Sequence, residues 1–433
     1  MSKNKVSIKR KFISLIIITI IVAIGLSLYF NYNQLFGDKT TQSSVEETEV
    51  MTDAKLSIHY IDVGQGDSVF IELPDSTCML IDAGIKSKGE VVSQYVSGLG
   101  YGVIDYLIVT HGDTDHVGGI QTVLDNFEVK NIYRPYQISL DSEGNVNPDD
   151  DLKAVYEQAT VKSNINVIDN TAYYNFISKA YSETYTENSM VKQAIVSTTY
   201  DGLKIMPKNG YDFSIEFFGP LKTLNAETLI DSGLATVTNG YPTLYYGSTD
   251  AEKKNSASPV MLLEYAEGSY LFTGDATEDT ERDVINSLTN DEKQRITKVD
   301  VLHVGHHGSK TSSSAEFLTV VQPKMSIISV GAGNRYNHPT EEALSRLEEY
   351  SGENIFRTDT DGNIVILANA ENIQIKTNNM VGTVSDREIY LSPTRYWYVY
   401  VIAITLFVFI SGVIYIYKGK SGLKKYKKGK SYR

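Results

Sequence analysis

The sequence predicts a layered α/β domain flanked by N- and C-terminal transmembrane helices. Two uncharged stretches, residues 12–30 and 396–417, lie near the ends of the 433-residue chain. Each reaches the roughly 20 apolar residues needed to cross a bilayer. Between them, short apolar runs of strand character alternate with helix-like segments, the pattern of packed layers around a core.

The first stretch, FISLIIITIIVAIGLSLYF, follows the basic tail 1–11 with Lys3, Lys5, Lys9, Arg10 and Lys11. A cleaved signal peptide carries a shorter apolar run of about 7–15 residues and ends in a small-x-small site. Here the run ends in LYFNYNQLF, so an uncleaved anchor is expected. The second stretch opens on Tyr396, Trp397 and Tyr398, residues suited to a membrane interface. It is followed by the tail 418–433, with eight basic and no acidic residues. Basic flanks on both spans place both ends in the cytoplasm and the middle outside the cell membrane.

The two tails hold 13 of the 40 basic residues and none of the 53 acidic ones. The middle is left with 27 basic residues and a net charge of −26. Such a surface does not favour broad electrostatic binding of nucleic acid. The basic tails suit the anionic inner leaflet, so the lipid bilayer is an expected partner. Cys78 is the lone cysteine, which excludes an intramolecular disulfide.

Residues 31–55 join the first span to the folded region, and 38–55 are polar and acidic, as in a flexible stalk. The folded region runs from 56 to 370. Its strand-like runs are SIHYIDV, SVFIEL, CMLIDA, IDYLIVT and NIYRP, then FSIEFFG, PVMLLEY, YLFTGD, VDVLHVG and MSIISVG. Helices are expected to begin near Lys86, Val117, Asp279, Ser313 and Thr340. Ser312-Ser313-Ser314 before AEFL, and Thr340 before two glutamates, are strong helix starts. Residues 137–200 break the pattern with Asn, Ser, Asp and Tyr. They read as an insertion, either covering a substrate or decorating the surface. Residues 371–395 read as a last strand or two and a connector.

Five of the seven histidines sit in Gly- or Asp-containing loops after apolar strands, where rigid scaffolds present reactive groups. The densest loop is THGDTDHVGG, with His111, Asp113, Asp115 and His116 inside six residues. Carboxylates crowded in this way repel each other and need a cation to offset them. Asp275 in LFTGD, His306 and His307 in VGHHGS, and His338 in NRYNHP follow three further strands.

IDVGQGDSVFIELPDSTCMLIDAG, THGDTDHVGG, LFTGD, VGHHGS and NRYNHP, in this order, resemble the metallo-β-lactamase superfamily. Within it the pattern resembles the hydrolase domain of ComEC-type DNA-uptake competence proteins. The resemblance covers residues 56–370 and implies an αββα sandwich with a two-metal site on one edge. It implies a first metal held by His111, Asp113 and a bridging Asp275. A second would be held by Asp115, His116, Asp275 and His306. Asp113 stands where the usual loop has a second histidine. The family often has a further histidine before the bridging Asp. This chain has none between 117 and 302, and offers Asn255 and Ser258 in that region. The first site is therefore expected to be weaker or completed by water. The carboxylate-rich set suits Mn²⁺ or Mg²⁺ as well as Zn²⁺.

Two bound divalent ions activate water and stabilise the charge of an in-line displacement. Asp115 would orient or deprotonate the nucleophile. His307 and His338 would contact a phosphate or protonate a leaving group. Asp62 or Asp67 would support the residues around the metals. The expected function is phosphodiester hydrolysis, with single-stranded DNA among the substrates that the resemblance suggests. Hydrolysis of another cell-surface phosphoester, or a non-catalytic envelope binding module, are the other readings.

Overall fold

Period-two alternation builds two sheets. In β1 (Leu56–Tyr60), Leu56, Ile58 and Tyr60 turn to one face and Ser57 and His59 to the other. β2 (Val69–Glu72), β3 (Cys78–Ile81), β4 (Val103–Ile108), β5 (Glu128–Arg134) and β6 (Ile195–Thr198) continue this first sheet. The second sheet takes β7 (Lys204–Ile205), β8 (Phe213–Phe217), β9 (Met261–Tyr265) and β10 (Gly268–Phe272). It is completed by β11 (Val301–His303), β12 (Met325–Ile328) and β13 (Ile355–Arg357). The chain then returns to the first sheet with β14 (Ile364–Ala368), β15 (Ile373–Lys376) and β16 (Val381–Thr383).

The order in the first sheet is β16-β15-β14-β1-β2-β3-β4-β5-β6, and in the second β13-β12-β11-β10-β9-β8-β7. Strands β3 to β6 run parallel, as do β10 to β13; the remaining neighbours are antiparallel. The computed structural model describes residues 50–135, 139–140, 146–147, 171–184, 195–199, 201–208, 210–219, 236–238, 241–243, 254–378 and 381–383. All of them fall in the unit Glu47–Arg387. Both apolar stretches and both basic tails lie outside the described residues. Among the described residues no helix is long and apolar enough to cross a membrane.

Three apolar cores make four layers. The middle core lies between the sheets and holds Ile58, Tyr60, Val69, Ile71, Ile215, Phe217, Leu263, Phe272 and Ile366. The opposite face of the first sheet is covered by α1 (Gly89–Gly98), α2 (Thr114–Val117), α3 (Ile120–Asn126) and α4 (Thr171–Thr184). The second sheet is covered by α5 (Glu278–Ser287), α6 (Asn290–Ile296), α7 (Ala315–Val321) and α8 (Glu341–Ser351). The helix starts are capped as expected. Ser314 Oγ accepts from Phe317 N at 3.2 Å and Thr340 Oγ1 from Ala343 N at 3.2 Å. The result is the αββα sandwich.

One segment departs from expectation. Part of 137–200 is built into the domain: α4 buries Tyr173, Phe176, Ile177 and Ala180, and β6 adds an edge strand to β5. The rest of that stretch lies outside the described residues. The strands expected after 370 are β15 and β16, which extend the first sheet; β15 pairs with β14 and buries Ile375.

Parallel strands of both sheets end at one edge, and the loops leaving β3, β4, β10, β11 and β12 carry the histidines and aspartates of the motifs. Ile366 is fully buried between the sheets. Truncating it by Ile366→Ala should lower stability by about 2–5 kcal/mol, read from urea unfolding of the metal-loaded chain.

Candidate metal centre

The first loop forms because β4 runs apolar into Thr110 and stops. Asp82, at the end of β3, catches this turn. Its carboxylate accepts from Thr110 N at 2.9 Å and from Thr110 Oγ1 at 2.5 Å. The same carboxylate accepts from His116 Nδ1 at 2.8 Å. Asp82 is fully buried and its backbone is left-handed, at φ 56°. A short acidic side chain tolerates that conformation.

These bonds determine which ring nitrogens face inward. A carboxylate cannot donate, so His116 carries its proton on Nδ1 and leaves the Nε2 lone pair free. His307 Nδ1 donates to the Ser329 carbonyl at 2.9 Å, with the same consequence. The two free Nε2 atoms lie 3.3 Å apart. Two lone pairs do not face each other at that distance unless positive charge lies with them. His111 directs Nδ1 toward Thr110 Oγ1 at 3.1 Å and Ser258 Oγ at 3.3 Å. Its buried Nε2 makes no hydrogen bond, although Asp113 and Asp275 carboxylate oxygens each lie 3.7 Å away. A nitrogen ringed by carboxylates just beyond hydrogen-bond reach fits a cation. The residues present therefore fit divalent metal ions.

Asp275 is central to the cluster. It lies 3.3 Å from His116 Nε2 through Oδ1, and 3.7, 3.7 and 3.8 Å from the Nε2 atoms of His111, His306 and His307 through Oδ2. Ser258 Oγ holds its backbone N at 3.1 Å. Burial alone would raise the Asp275 pKa, but His116, His307 and His306 outweigh it and hold the carboxyl well below its ordinary range. Burial likewise opposes charge on His116, yet Asp275 and Asp82 push it well above the usual imidazole value. His307 is raised in the same way by Asp275, Asp115 and Asp67. Without metal, protons on these imidazoles supply the positive charge that the carboxylates require.

The imidazole that faces Asp115 and His116 is that of His307, not of His306 as expected. The His307 Nε2 faces Asp115 Oδ2 at 3.4 Å and His116 at 3.3 Å. The reason is the loop: Gly305–Gly308 turns through left-handed φ values of 51° at His306 and 54° at His307. That turn carries His307 inward. His307 is also corrected as a substrate contact, because it is buried and both ring nitrogens are committed to the cluster and to Ser329. His306 is 25% exposed, approaches Asp275 Oδ2, and lies within 3.4 Å of Asn255 Nδ2 and Thr311 Oγ1. It shares Asp275 Oδ2 with His111, so it stands where the first group, His111 and Asp113, needs another nitrogen. Asn255 and Ser258, noted for lacking a histidine, hydrogen-bond to histidines instead.

Asp113 and Asp115 lie at the mouth, 23% and 27% exposed. Asp113 Oδ1 pairs with Lys254 Nζ at 2.8 Å. Asp67, with His116, Asp275 and His307, completes a group of four whose ligand atoms lie within 4.8 Å of one another. Asp67 nevertheless meets the Nδ1 sides of His116 and His307, at 3.9 and 3.5 Å, and His303 Nε2 at 3.4 Å. It stands behind the rings and orients them. Of the two candidates for that role, Asp62 is exposed and accepts from Gly64 N at 3.0 Å in a local turn. Asp67 N donates to Asp115 O at 3.1 Å. A Cβ on Gly66 would fall 2.2 Å from that same oxygen, so only glycine permits the approach. His338 packs edge-on against His306 with centroids 5.4 Å apart. Burial, with His306 and His307 nearby, pulls His338 down to about 4. It is a neutral hydrogen-bonding ring at pH 7, not a cationic acid.

Sequence reasoning passed over Asp82 and His303. Asp82-Ala-Gly repeats the strand-end acid of Thr-Gly-Asp275, which is the signal that marks it. A further missed residue is Glu281 of α5, fully buried, whose carboxylate accepts from Ser313 N at 2.5 Å and Ser314 N at 2.8 Å. Arg346 holds the same loop through the carbonyls of Lys310 and Ser312, at 3.1 and 3.0 Å. Together they pin the segment that follows the two histidines.

Residues 61–164 match the metallo-beta-lactamase superfamily. Over 345 residues the chain is 28% identical to ComE operon protein 3 of Bacillus subtilis (strain 168), covering 76% of this chain and 34% of that protein. Over 96 residues it is 41% identical to Recombination protein 2 of Haemophilus influenzae, covering 22% and 11%. Over 108 residues it is 34% identical to Competence protein ComA of Neisseria gonorrhoeae, covering 25% and 15%. The αββα fold and the buried histidine–aspartate cluster accompany this likeness of residues 61–164 to the metallo-beta-lactamase superfamily. More particularly, the domain is similar to part of the ComEC-type competence proteins, of which the chain spans about a third of the length or less.

Two outcomes follow. Metal ligation requires neutral imidazoles, and His116 and His307 hold protons above their ordinary range without metal. Binding of Mn²⁺ or Zn²⁺ should therefore release protons and weaken as pH falls, seen by calorimetry in buffers of different ionisation enthalpy. Burial pushes the Glu281 carboxyl from 4.5 to about 7. For an acid raised in the folded state, stability is lost as pH rises across that window. Glu281→Gln should flatten the fall in thermal stability between pH 4.5 and 7.

Proposed function

We propose that this chain is a membrane-anchored, extracytoplasmic metal-dependent hydrolase that cleaves phosphodiesters. The observation that carries the reading is the pair of inward Nε2 atoms of His116 and His307, 3.3 Å apart beside the Asp275 carboxylate. With His111, Asp113, Asp115 and His306 they supply two groups of ligands that share Asp275. Divalent ions bound there, Mn²⁺ or Zn²⁺, supply Lewis acidity and a nucleophile at neutral pH. The chain's own residues do the rest. Asp82 and Ser329 keep the histidines in the ligating tautomer. Asp115 lies at the mouth, where it can orient an incoming water. Lys254 places a cation beside Asp113, where phosphate charge would gather. His338 is only partly buried and packs against His306, which places its ring near where a phosphoryl group would sit.

The likeness to competence and recombination proteins favours a nucleic-acid phosphodiester such as single-stranded DNA. The net charge of −26 between the tails favours a second reading, hydrolysis of another cell-surface phosphoester. The uncharged stretches with basic flanks support the anchor and the external placement of the domain.

The full chain, loaded with Mn²⁺ or Zn²⁺, is expected to release nitrophenol from bis-p-nitrophenyl phosphate. Asp275→Asn and His116→Ala should each cut the rate roughly 100-fold or more, the loss of several kcal/mol of charge stabilisation. A wild-type chain that binds no metal sinks the enzyme reading. Turnover of the small diester without cleavage of single-stranded DNA selects the second reading.

A further inference from the structure

The segment Gly331–His338 leaves β12 beside the cluster and turns back on a single side chain. Asn334 Nδ2 donates to the carbonyls of Gly331 and His338, at 3.0 and 2.6 Å. Its Oδ1 accepts from the backbone N of Tyr336 at 3.1 Å and of His338 at 3.0 Å. Asn337 takes a left-handed φ of 57°. The loop is thus closed on itself, and it holds Tyr336 out toward solvent, 48% exposed.

Tyr336 is not isolated. Its ring stacks on His338 with centroids 5.6 Å apart and planes 26° from parallel. His338 packs edge-on against His306, centroids 5.4 Å apart. His306 Nε2 is 3.7 Å from Asp275. On the outer side, the exposed Arg335 guanidinium lies 4.8 Å from the Tyr336 ring centre and donates to the Tyr336 hydroxyl at 2.5 Å. A ladder of flat groups therefore runs from solvent to the bridging carboxylate. Its outer end combines a stacking surface with a planar cation that still has free N–H groups.

Resting on the phosphodiesterase reading, we propose that Arg335 and Tyr336 form a nucleotide subsite of that centre. A base stacks on the outward guanidinium face that the Tyr336 ring supports, and the in-plane N–H groups of Arg335 contact a neighbouring phosphate. The rings place the next phosphodiester at the metals. Flat faces accept any base, so the subsite takes unpaired strands with little sequence preference. A quaternary ammonium is disfavoured there, because Arg335 already supplies positive charge to the ring. The closed loop keeps the platform ordered before binding, which limits the entropy lost on capture. A local cation also answers the objection raised by the acidic domain: one guanidinium at the mouth matters more than the mean charge.

The test uses the metal-loaded full chain and a fluorescent oligothymidylate with a hydrolysis-resistant phosphorothioate backbone. An abasic strand of the same length and backbone serves as the comparison. Tyr336→Ala should weaken oligothymidylate binding about 5- to 100-fold, the range for one stacked base. It should leave abasic-strand binding and metal content unchanged, and Tyr336→Phe should bind as wild type. Arg335→Ala should weaken both strands and reduce the salt dependence. Equal losses on both strands in Tyr336→Ala, no loss on either, or no binding of either strand by the wild type overturns the subsite. Because this arm measures binding, it is independent of turnover. Failure of the wild type to hydrolyse any diester rejects the phosphodiesterase reading separately.

Discussion

Burying acidic groups next to imidazoles is the constraint around which this domain is organised. Asp67, Asp82 and Asp275 are each at most 3% exposed, at the edge where the two sheets meet. Carboxylates so placed are costly unless positive charge or hydrogen-bond donors surround them. His116, His307 and His111 answer that demand, and backbone and hydroxyl donors complete it. The two sheets are joined at this edge by the cluster itself: His116 comes from the first and Asp275 and His307 from the second.

The supporting contacts explain why the ligands point as they do. Asp82 sits at the end of β3 and fixes the tautomer of a histidine carried by the loop after β4. Ser258, before β9, touches both His111 and the backbone of Asp275. Glu281 and Arg346 hold the loop that follows His306 and His307 from helices on the second sheet. Each metal-facing nitrogen is thus oriented by a residue from a different element. Orienting partners of this kind govern metal affinity nearly as strongly as the ligands. The apolar cores on either side give those elements fixed positions, so the edge is a rigid frame rather than a set of loops.

His306, adjacent to His307, approaches the bridging carboxylate from the exposed side, and Asn255 packs against it. Two adjacent histidines meet the same bridging carboxylate because the 305–308 turn is left-handed at both positions. The same turn places His306 against His338, and through it against Tyr336, so the metal edge opens toward a surface that carries aromatic rings.

Much of this was legible in the linear sequence. Short apolar runs marked ten of the strands, because a strand with a core on each face is apolar along most of its length. Ser314 and Thr340 announced their helices, because a cap is a local hydrogen bond. The five ordered motifs named the fold and the acidic, histidine-rich loops, because those residue types at strand ends have few other uses. The choice between His306 and His307 was not legible, since it depends on two backbone dihedrals that adjacent identical residues do not reveal. Nor were the roles of Asp82 and Glu281, or the choice of Asp67 over Asp62. Asp82 and Glu281 act through partners 34 and 32 positions away that neighbouring elements of one sheet bring close, and Asp67 meets His303 and His307 only because the two sheets pack together. Composition and local pattern determined which groups this protein would gather; tertiary structure decided which atoms of those groups face one another.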